Sequence, residues 1–188
     1  MLERFPSRTP AVCTIHAMLA SSAFRDYEAS PFTWDLTVDP TSVRSRYTSE
    51  LQWAVPYALT EPATTPAMRA IMVRCLNIPL LVEINIPASN GTFVTVHDVL
   101  HCIYRHLRTQ ITPEEYDNMT KKTDPTQLEA VIQSYEARYR AIVGDDAARQ
   151  LEKLKGLKRI DLLARCTRFT GLSPTDRPDE FYILPAPL

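Results

Sequence analysis

Three helix start signals in the middle of the chain constrain its fold more than any other feature. Thr95 stands three residues before Asp98, which is the spacing of a capping box. Residues 112–115 (TPEE) repeat that device with proline at the first helical position, and Asp124, followed by proline, provides a third start. The chain is therefore predicted to contain a central block of helices.

A fourth helix is predicted to close this block, and strands are predicted before and after it. Asp145 is expected to cap the fourth helix, which runs to about Leu154 and ends at Gly156. Alternating or continuous apolar residues on either side of the block are typical of strands. The predicted strands span residues 32–38, 68–75, 80–87, 92–94 and 181–184.

The stretch at 156–172, GLKRIDLLARCTRFTGL, combines apolar alternation with dense charge. We interpret it as the central strand, with Arg159 and Asp161 projecting from one face. Strands, then helices, then strands predict an α+β fold with a mostly antiparallel sheet and about four helices packed on one face. Residues 31–188 are expected to form a single domain, preceded by an N-terminal arm at 1–30.

The charge and the cysteine content of the chain limit the functions and the cellular compartment that we expect for it. The 188 residues carry 21 basic and 22 acidic side chains, a net charge of -1, so any contact with nucleic acid must use a local basic patch. Four scattered cysteines without a CxxC pair are typical of free thiols. Because no secretory signal and no membrane span are visible, we expect a cytosolic protein without membrane association.

Polar side chains on the predicted strands are the candidate site residues. Asp35, Glu83, Arg159 and Asp161 are expected on the sheet face opposite the helices. There they form either a site in which a carboxylate and an arginine act together or ordinary cross-strand ion pairs. Arg165 extends the same basic segment as a substrate-binding candidate.

Aromatic and histidine residues are further candidates for a site. Tyr57 and Trp53, in an irregular proline-rich region, are candidates for stacking on a nucleobase. His97, His101 and His106 lack the carboxylate spacing of a known metal motif, so no metal site is predicted.

Six segments in this order and spacing resemble an uncharacterised domain family of mushroom-forming fungi. One member of that family is a ribosome-inactivating protein of shiitake. The resemblance implies an rRNA N-glycosylase that removes an adenine from the sarcin–ricin loop of large-subunit rRNA and so inhibits translation. It also implies the ribosome as partner. Because water completes such a hydrolysis, we expect no cofactor or metal, and we expect a monomer. The segments are PFTWDL (31–36), LTEPATTP (59–66), VTVHDVLHCIYRHL (94–107), TPEEY (112–116), GLKRIDLL (156–163) and FTGL (169–172).

The chemistry of N-glycosidic bond cleavage suggests a hypothetical role for several of the candidate site residues. Positive charge builds on the ribose, so Asp161 or Asp35 is the candidate carboxylate. Arg159 is the candidate for assisting departure of the base, and Tyr57 or Trp53 for stacking on it. A non-enzymatic protein-interaction module of the cytosol is the main alternative, and a metal-assisted nuclease acting through the histidines is another.

Overall fold

A computed structural model of the chain describes eight stretches of residues. They are 13–21, 32–42, 44–45, 55–76, 78–80, 82–142, 146–183 and 185–187.

These residues form an α+β structure built on a four-stranded sheet. The strand order in that sheet is β6-β5-β8-β7, in which β5 runs parallel to β8 and the two outer pairs are antiparallel. Strands β1 and β4 form one small antiparallel ribbon, and β2 and β3 form another. The strands are β1 (Thr14–Ile15), β2 (Phe32–Thr33), β3 (Arg44–Ser45), β4 (Thr64–Thr65), β5 (Ala70–Cys75), β6 (Val82–Pro87), β7 (Leu172–Pro174) and β8 (Glu180–Ile183).

Five α-helices lie within the described residues, together with two 3-10 helices, Pro40–Ser42 and Arg159–Leu163. The predicted α+β class is confirmed. Among the described residues, no helix combines the length and apolar character needed to cross a bilayer. The helices are α1 (Val55–Ala58), α2 (Val96–Leu107), α3 (Pro113–Lys122), α4 (Pro125–Arg140) and α5 (Asp146–Leu154).

The core lies between one face of the sheet and α2. Ile71 and Val73 on β5 alternate with exposed or half-buried neighbours, as a strand with one covered face requires. Val99 and Ile103 on α2 are completely buried, and α2 packs against β6. Met119 of α3 and Val131 of α4 are also buried in this core, and α4 contacts both α5 and the 3-10 helix Arg159–Leu163.

The predicted helix starts at Thr95 and Thr112 are confirmed as capping boxes. Thr95 Oγ1 accepts the Asp98 N–H at 3.0 Å, and the Asp98 carboxylate accepts the Thr95 N–H at 2.9 Å. Thr112 and Glu115 exchange the same two bonds. Asp124 caps α4 by accepting the Thr126 N–H. The predicted cap of α5 at residue 145 lies outside the described residues.

The predicted central strand within 156–172 is wrong. Residues Arg159–Leu163 form a 3-10 helix instead, and Ile160, Asp161, Leu162 and Leu163 are all buried, whereas a strand would have alternated. The physical reason is local: the Asp161 carboxylate accepts the Lys158 N–H at 2.9 Å and so closes a tight turn. Arg159 and Asp161 therefore do not project side by side from a sheet.

Two other predicted strands are shortened or absent because a polar side chain accepts hydrogen bonds from nearby backbone N–H groups. The strand predicted at 32–38 ends after Thr33, where Asp35 accepts the Thr37 N–H at 2.9 Å and turns the chain. No strand forms at 92–94, because Asn90 Oδ1 accepts the N–H groups of Thr92 and Phe93. The strands predicted at 68–75, 80–87 and 181–184 are confirmed, within two residues at each end, as β5, β6 and β8.

Candidate functional site

A cavity of about 670 Å³ lies between α4, the 3-10 helix Arg159–Leu163 and the residue that follows α2. Its volume falls within the range of small-molecule sites, and it joins apolar walls to a few polar groups. The apolar wall comes from Ala137, Ala141, Ile160, Ala164 and Pro187. The polar lining comes from Thr37, Arg108, Ser134, Arg138, Asp161, Arg165 and Thr167.

Arg138 and Asp161 form a buried bidentate ion pair in the wall of this cavity. Arg138 Nε and Nη2 each donate to one Asp161 oxygen, both at 2.8 Å. Arg138 also donates to Glu152 and to the carbonyl of Gly156. The Asp161 side chain is only 1% exposed, so its carboxylate is committed to Arg138 and to the Lys158 N–H. A guanidinium has five N–H groups, and these bonds use four of them. One N–H of Arg138 therefore remains available.

Glu152 on α5 completes the ionic network behind the cavity. Burial acts to raise the pKa of Glu152, but hydrogen bonds from Lys158 and Lys155 and the charges of Lys158 and Arg138 outweigh burial and lower the pKa to about 2. Burial acts to lower the pKa of Arg138, but its bonds and charge pairing with Asp161 and Glu152 raise it. Arg138 and Glu152 therefore stay charged at neutral pH, and the ion pairs hold Arg138 in one position.

Arg108 and Arg165 differ from Arg138 because neither has a carboxylate partner among the described residues. Arg108 donates through Nη2 to the carbonyl of Thr37 and lies 4.8 Å from the centre of the Tyr104 ring. Its Nε is buried without a hydrogen-bond partner in the described part of the chain. Arg165 is exposed at the cavity. Among the described residues, these two arginines of the cavity therefore have no carboxylate within ion-pair distance.

Asp35 lies next to the cavity through its hydrogen bond with Thr37, which is one of the lining residues. The backbone of Asp35 bridges Arg168, and the Leu36 N–H donates to the carbonyl of Thr167, another lining residue, at 2.8 Å. These bonds fix the segment that carries Asp35 against the segment that carries Arg165. The structure therefore brings three predicted residues, Asp35, Asp161 and Arg165, to one region.

Arg159 and Glu83 do not line this cavity. Arg159 donates to Glu115 at 2.6 Å and to Thr109 Oγ1 at 2.5 Å. Glu83 pairs across the sheet with Arg74 at 2.9 Å, and Arg74 also pairs with Glu180. Of the two interpretations of Glu83, the geometry favours the ordinary cross-strand ion pair.

Tyr57, the predicted stacking residue that the structure describes, is not among the residues that line the cavity. Tyr57 is 70% exposed on α1, two residues before Leu59, whose carbonyl accepts the His97 N–H at 2.9 Å. Arg108 lies eleven positions after His97, a distance of about 16 Å along α2. Trp53 lies outside the described residues. No aromatic side chain is among the described lining residues.

Arg138, Arg108 and Ser134 are cavity residues that sequence reasoning missed. Arg138 lies seven residues after Val131, so helical periodicity puts it on the inward face of α4. An arginine at a buried position of a helix was therefore a usable signal. Arg108 carried no such signal, because it follows the last residue of α2.

The histidines of α2 form no metal site with other ligands in the described residues. His97 and His101 stack with their ring centres 4.1 Å apart. Burial and the neighbouring charge of His97 lower the pKa of His101, although Asp39 opposes this shift. No group of three or more histidine, cysteine, aspartate or glutamate side chains suited to a metal occurs there.

The fold and cavity define an α+β domain with a small-molecule-sized, arginine-lined site. The chain belongs to the family of unknown function DUF6699, whose match covers residues 32–180. The match contains the whole cavity lining except Pro187. A search of curated proteins and a search of solved structures each found no match.

Proposed function

We propose that this protein is an rRNA N-glycosylase that removes an adenine from the sarcin–ricin loop of large-subunit rRNA in the cytosol. The observation that carries the proposal is the cavity, which joins an apolar wall to arginines and includes Thr37, whose N–H donates to Asp35. The resemblance to an uncharacterised fungal domain family, one member of which is a ribosome-inactivating protein, also supports it. An enzyme that acts on a base extrudes that base into a pocket, and this cavity has the volume for a base with its sugar.

Asp35 is the carboxylate we assign to the developing positive charge on the ribose. Asp161 is unsuited to direct contact because its oxygens are bound to Arg138 and Lys158 and its side chain is buried. One Asp35 oxygen accepts the Thr37 N–H, and its second oxygen has no partner in the described part of the chain. Asp35 therefore retains an oxygen with which to stabilise an oxocarbenium-like transition state.

Arg138 is the group we assign to the departing adenine, in place of Arg159. Arg138 lines the cavity, keeps one N–H and is fixed by Asp161 and Glu152. A donor fixed before the reaction stabilises developing negative charge without reorganisation. Asp161 is then a positioning residue. Water supplies a hydroxyl to the ribose and a proton to adenine, so the reaction consumes no cofactor.

Base contact in the cavity would come from the apolar wall instead of an aromatic ring. Ala137, Ala141 and Ile160 present aliphatic surface, and Ser134 contributes a hydroxyl whose hydrogen bond to the Ala164 carbonyl measures 3.2 Å. A flipped base can stack between apolar side chains, which include aliphatic ones and are not limited to aromatic rings.

Incubation with purified ribosomes tests the activity. Aniline breaks the RNA chain at a site that has lost its base, so an rRNA fragment released only after aniline indicates an N-glycosylase. A fragment released without aniline indicates a nuclease. Absence of any fragment with intact, folded protein contradicts the proposal.

An interaction module is the second candidate, and exposed leucines on α5 favour it. Leu151 and Leu154 are 61% and 81% exposed and three residues apart, so they share one helix face. Such apolar exposure is typical of a surface that contacts another protein. Absence of depurination together with loss of a protein partner on Leu154→Ser would favour this function.

A further inference from the structure

Two of the three arginines that line the cavity have no ion-pair partner among the described residues. Three arginines line it, and Asp161 pairs with only one of them, Arg138. Arg138 is also balanced by Glu152 behind the wall. Arg108 and Arg165 have no carboxylate within ion-pair distance among the described residues. A ligand that complements this cavity therefore carries negative charge.

Arg108 is positioned as an anion receptor. Its Nη2 is held by the Thr37 carbonyl and its guanidinium by the Tyr104 ring, so the side chain loses little freedom on binding. Its Nε is buried and unpaired within the described structure, which is costly in the absence of an acceptor. An anion that reaches Nε would satisfy that donor.

Arg165 lies on the segment that packs beside Arg108. Arg108 bonds to the Thr37 carbonyl, Leu36 bonds to the Thr167 carbonyl, and Thr167 is two residues after Arg165. Two guanidinium groups presented from neighbouring segments to one cavity suit a phosphate, which accepts several charge-assisted hydrogen bonds.

We propose that Arg108 and Arg165 form a phosphate subsite, so that the cavity binds a nucleoside monophosphate in preference to the nucleoside. The part of this inference that places adenine in the cavity rests on the proposed function. In rRNA the subsite would bind a phosphodiester next to the target adenosine. Adenosine 5′-monophosphate is the free ligand that combines both ends.

Isothermal titration calorimetry with adenosine 5′-monophosphate, adenosine and inorganic phosphate tests the subsite. We expect the monophosphate to bind wild-type protein at least about tenfold more tightly than adenosine, the effect of one charge-assisted hydrogen bond. Arg165→Gln should remove this preference. Arg140→Gln should leave it unchanged, because Arg140 is exposed, pairs with Glu136 and is not a lining residue.

Equal binding of the monophosphate and adenosine, no binding of either, or an unchanged preference in Arg165→Gln overturns the subsite. Arg108→Gln is the second variant, and circular dichroism establishes whether it folds. If Arg108→Gln does not fold, the binding preference of Arg165→Gln alone tests the subsite, because Arg165 is exposed.

The ribosome assay separates this inference from the proposed function. Depurination without preference for the monophosphate overturns the subsite and leaves the enzyme activity standing. Preference for the monophosphate that depends on Arg165, without depurination, overturns the enzyme activity and supports the subsite for another phosphorylated ligand.

Discussion

At the scale of single residues, burial separates two predicted site residues, the catalytic candidate Asp161 and the substrate-binding candidate Glu83. Asp161 and Glu83 both pair with an arginine, but Asp161 is 1% exposed and the side chain of Glu83 is 43% exposed. An exposed pair contributes little to stability, whereas removal of one partner from a buried pair leaves an uncompensated charge. The two residues therefore have different structural roles.

Asp161→Asn is expected to lower the free energy of unfolding by about 3 kcal/mol, because Arg138 then loses its bidentate partner. Glu83→Gln, the matched control at an exposed ion pair, should change it by less than about 1 kcal/mol. Urea unfolding followed by circular dichroism measures both values. Equal effects of the two substitutions would contradict a structural role for Asp161.

Gly171 provides a second test at this scale. Its φ of +103° lies in a region that side chains rarely adopt, and an added Cβ would meet Ala20 O and Ser21 Cα, both at 2.6 Å. Gly171→Ala should therefore cost about 3 kcal/mol from backbone strain and overpacking together. Gly91→Ala, with a φ of +73° and no atom within 4 Å of the added Cβ, should cost only about 1 kcal/mol. A smaller loss in Gly171→Ala than in Gly91→Ala, measured by thermal unfolding, would contradict the close packing at β7.

At the scale of elements, start signals were predictable and the geometry of short polar segments was not. The helix starts at Thr95 and Thr112 can be predicted because a capping box depends on residues only three apart. The 3-10 helix Arg159–Leu163 depends on Arg138, about twenty residues earlier, which holds the Asp161 carboxylate in place. Alternation of apolar residues in that stretch therefore suggested a strand that the tertiary ion pair excludes.

The junction of α4, α5 and the 3-10 helix is expected to weaken in acid. The pKa of Glu152 is about 2 in the folded protein against an ordinary 4.5, so the unfolded state binds more protons between these values. The stability from Glu152 is fully present above pH 4.5 and is lost as the pH falls toward about 2.

Urea midpoints of wild type and Glu152→Gln across this range measure the acid effect. The difference in free energy of unfolding between them should be largest near neutral pH and should shrink as the pH falls below 4.5. A difference that does not change with pH would contradict the lowered pKa of Glu152. Glu136→Gln, which alters an exposed pair on α4, serves as the control.

At the scale of the whole molecule, the fold class followed from element order, but the site did not. Asp35, Asp161 and Arg165 were predictable as polar residues near strands, yet their meeting point depends on how Leu36 pairs with Thr167. Arg108 enters the cavity only because α2 ends there. Sequence spacing contains no information on such contacts between distant segments, so the arrangement of the site required the structure.

The central claim is that this cavity cleaves an N-glycosidic bond with Asp35 as the carboxylate. Asp39 offers a matched control, because it accepts the Thr41 N–H at 2.8 Å just as Asp35 accepts the Thr37 N–H at 2.9 Å. Thr37 lines the cavity, whereas Thr41 does not. Both aspartate-to-asparagine variants therefore alter the same kind of turn.

The most direct measurement is the rate at which wild type, Asp35→Asn and Asp39→Asn produce the aniline-dependent rRNA fragment from ribosomes. We predict that wild type and Asp39→Asn produce it at similar rates. Asp35→Asn should be slower by about a hundredfold or more, the usual scale for loss of a group that stabilises transition-state charge. Equal rates for Asp35→Asn and Asp39→Asn, or no fragment from wild type, would contradict the claim.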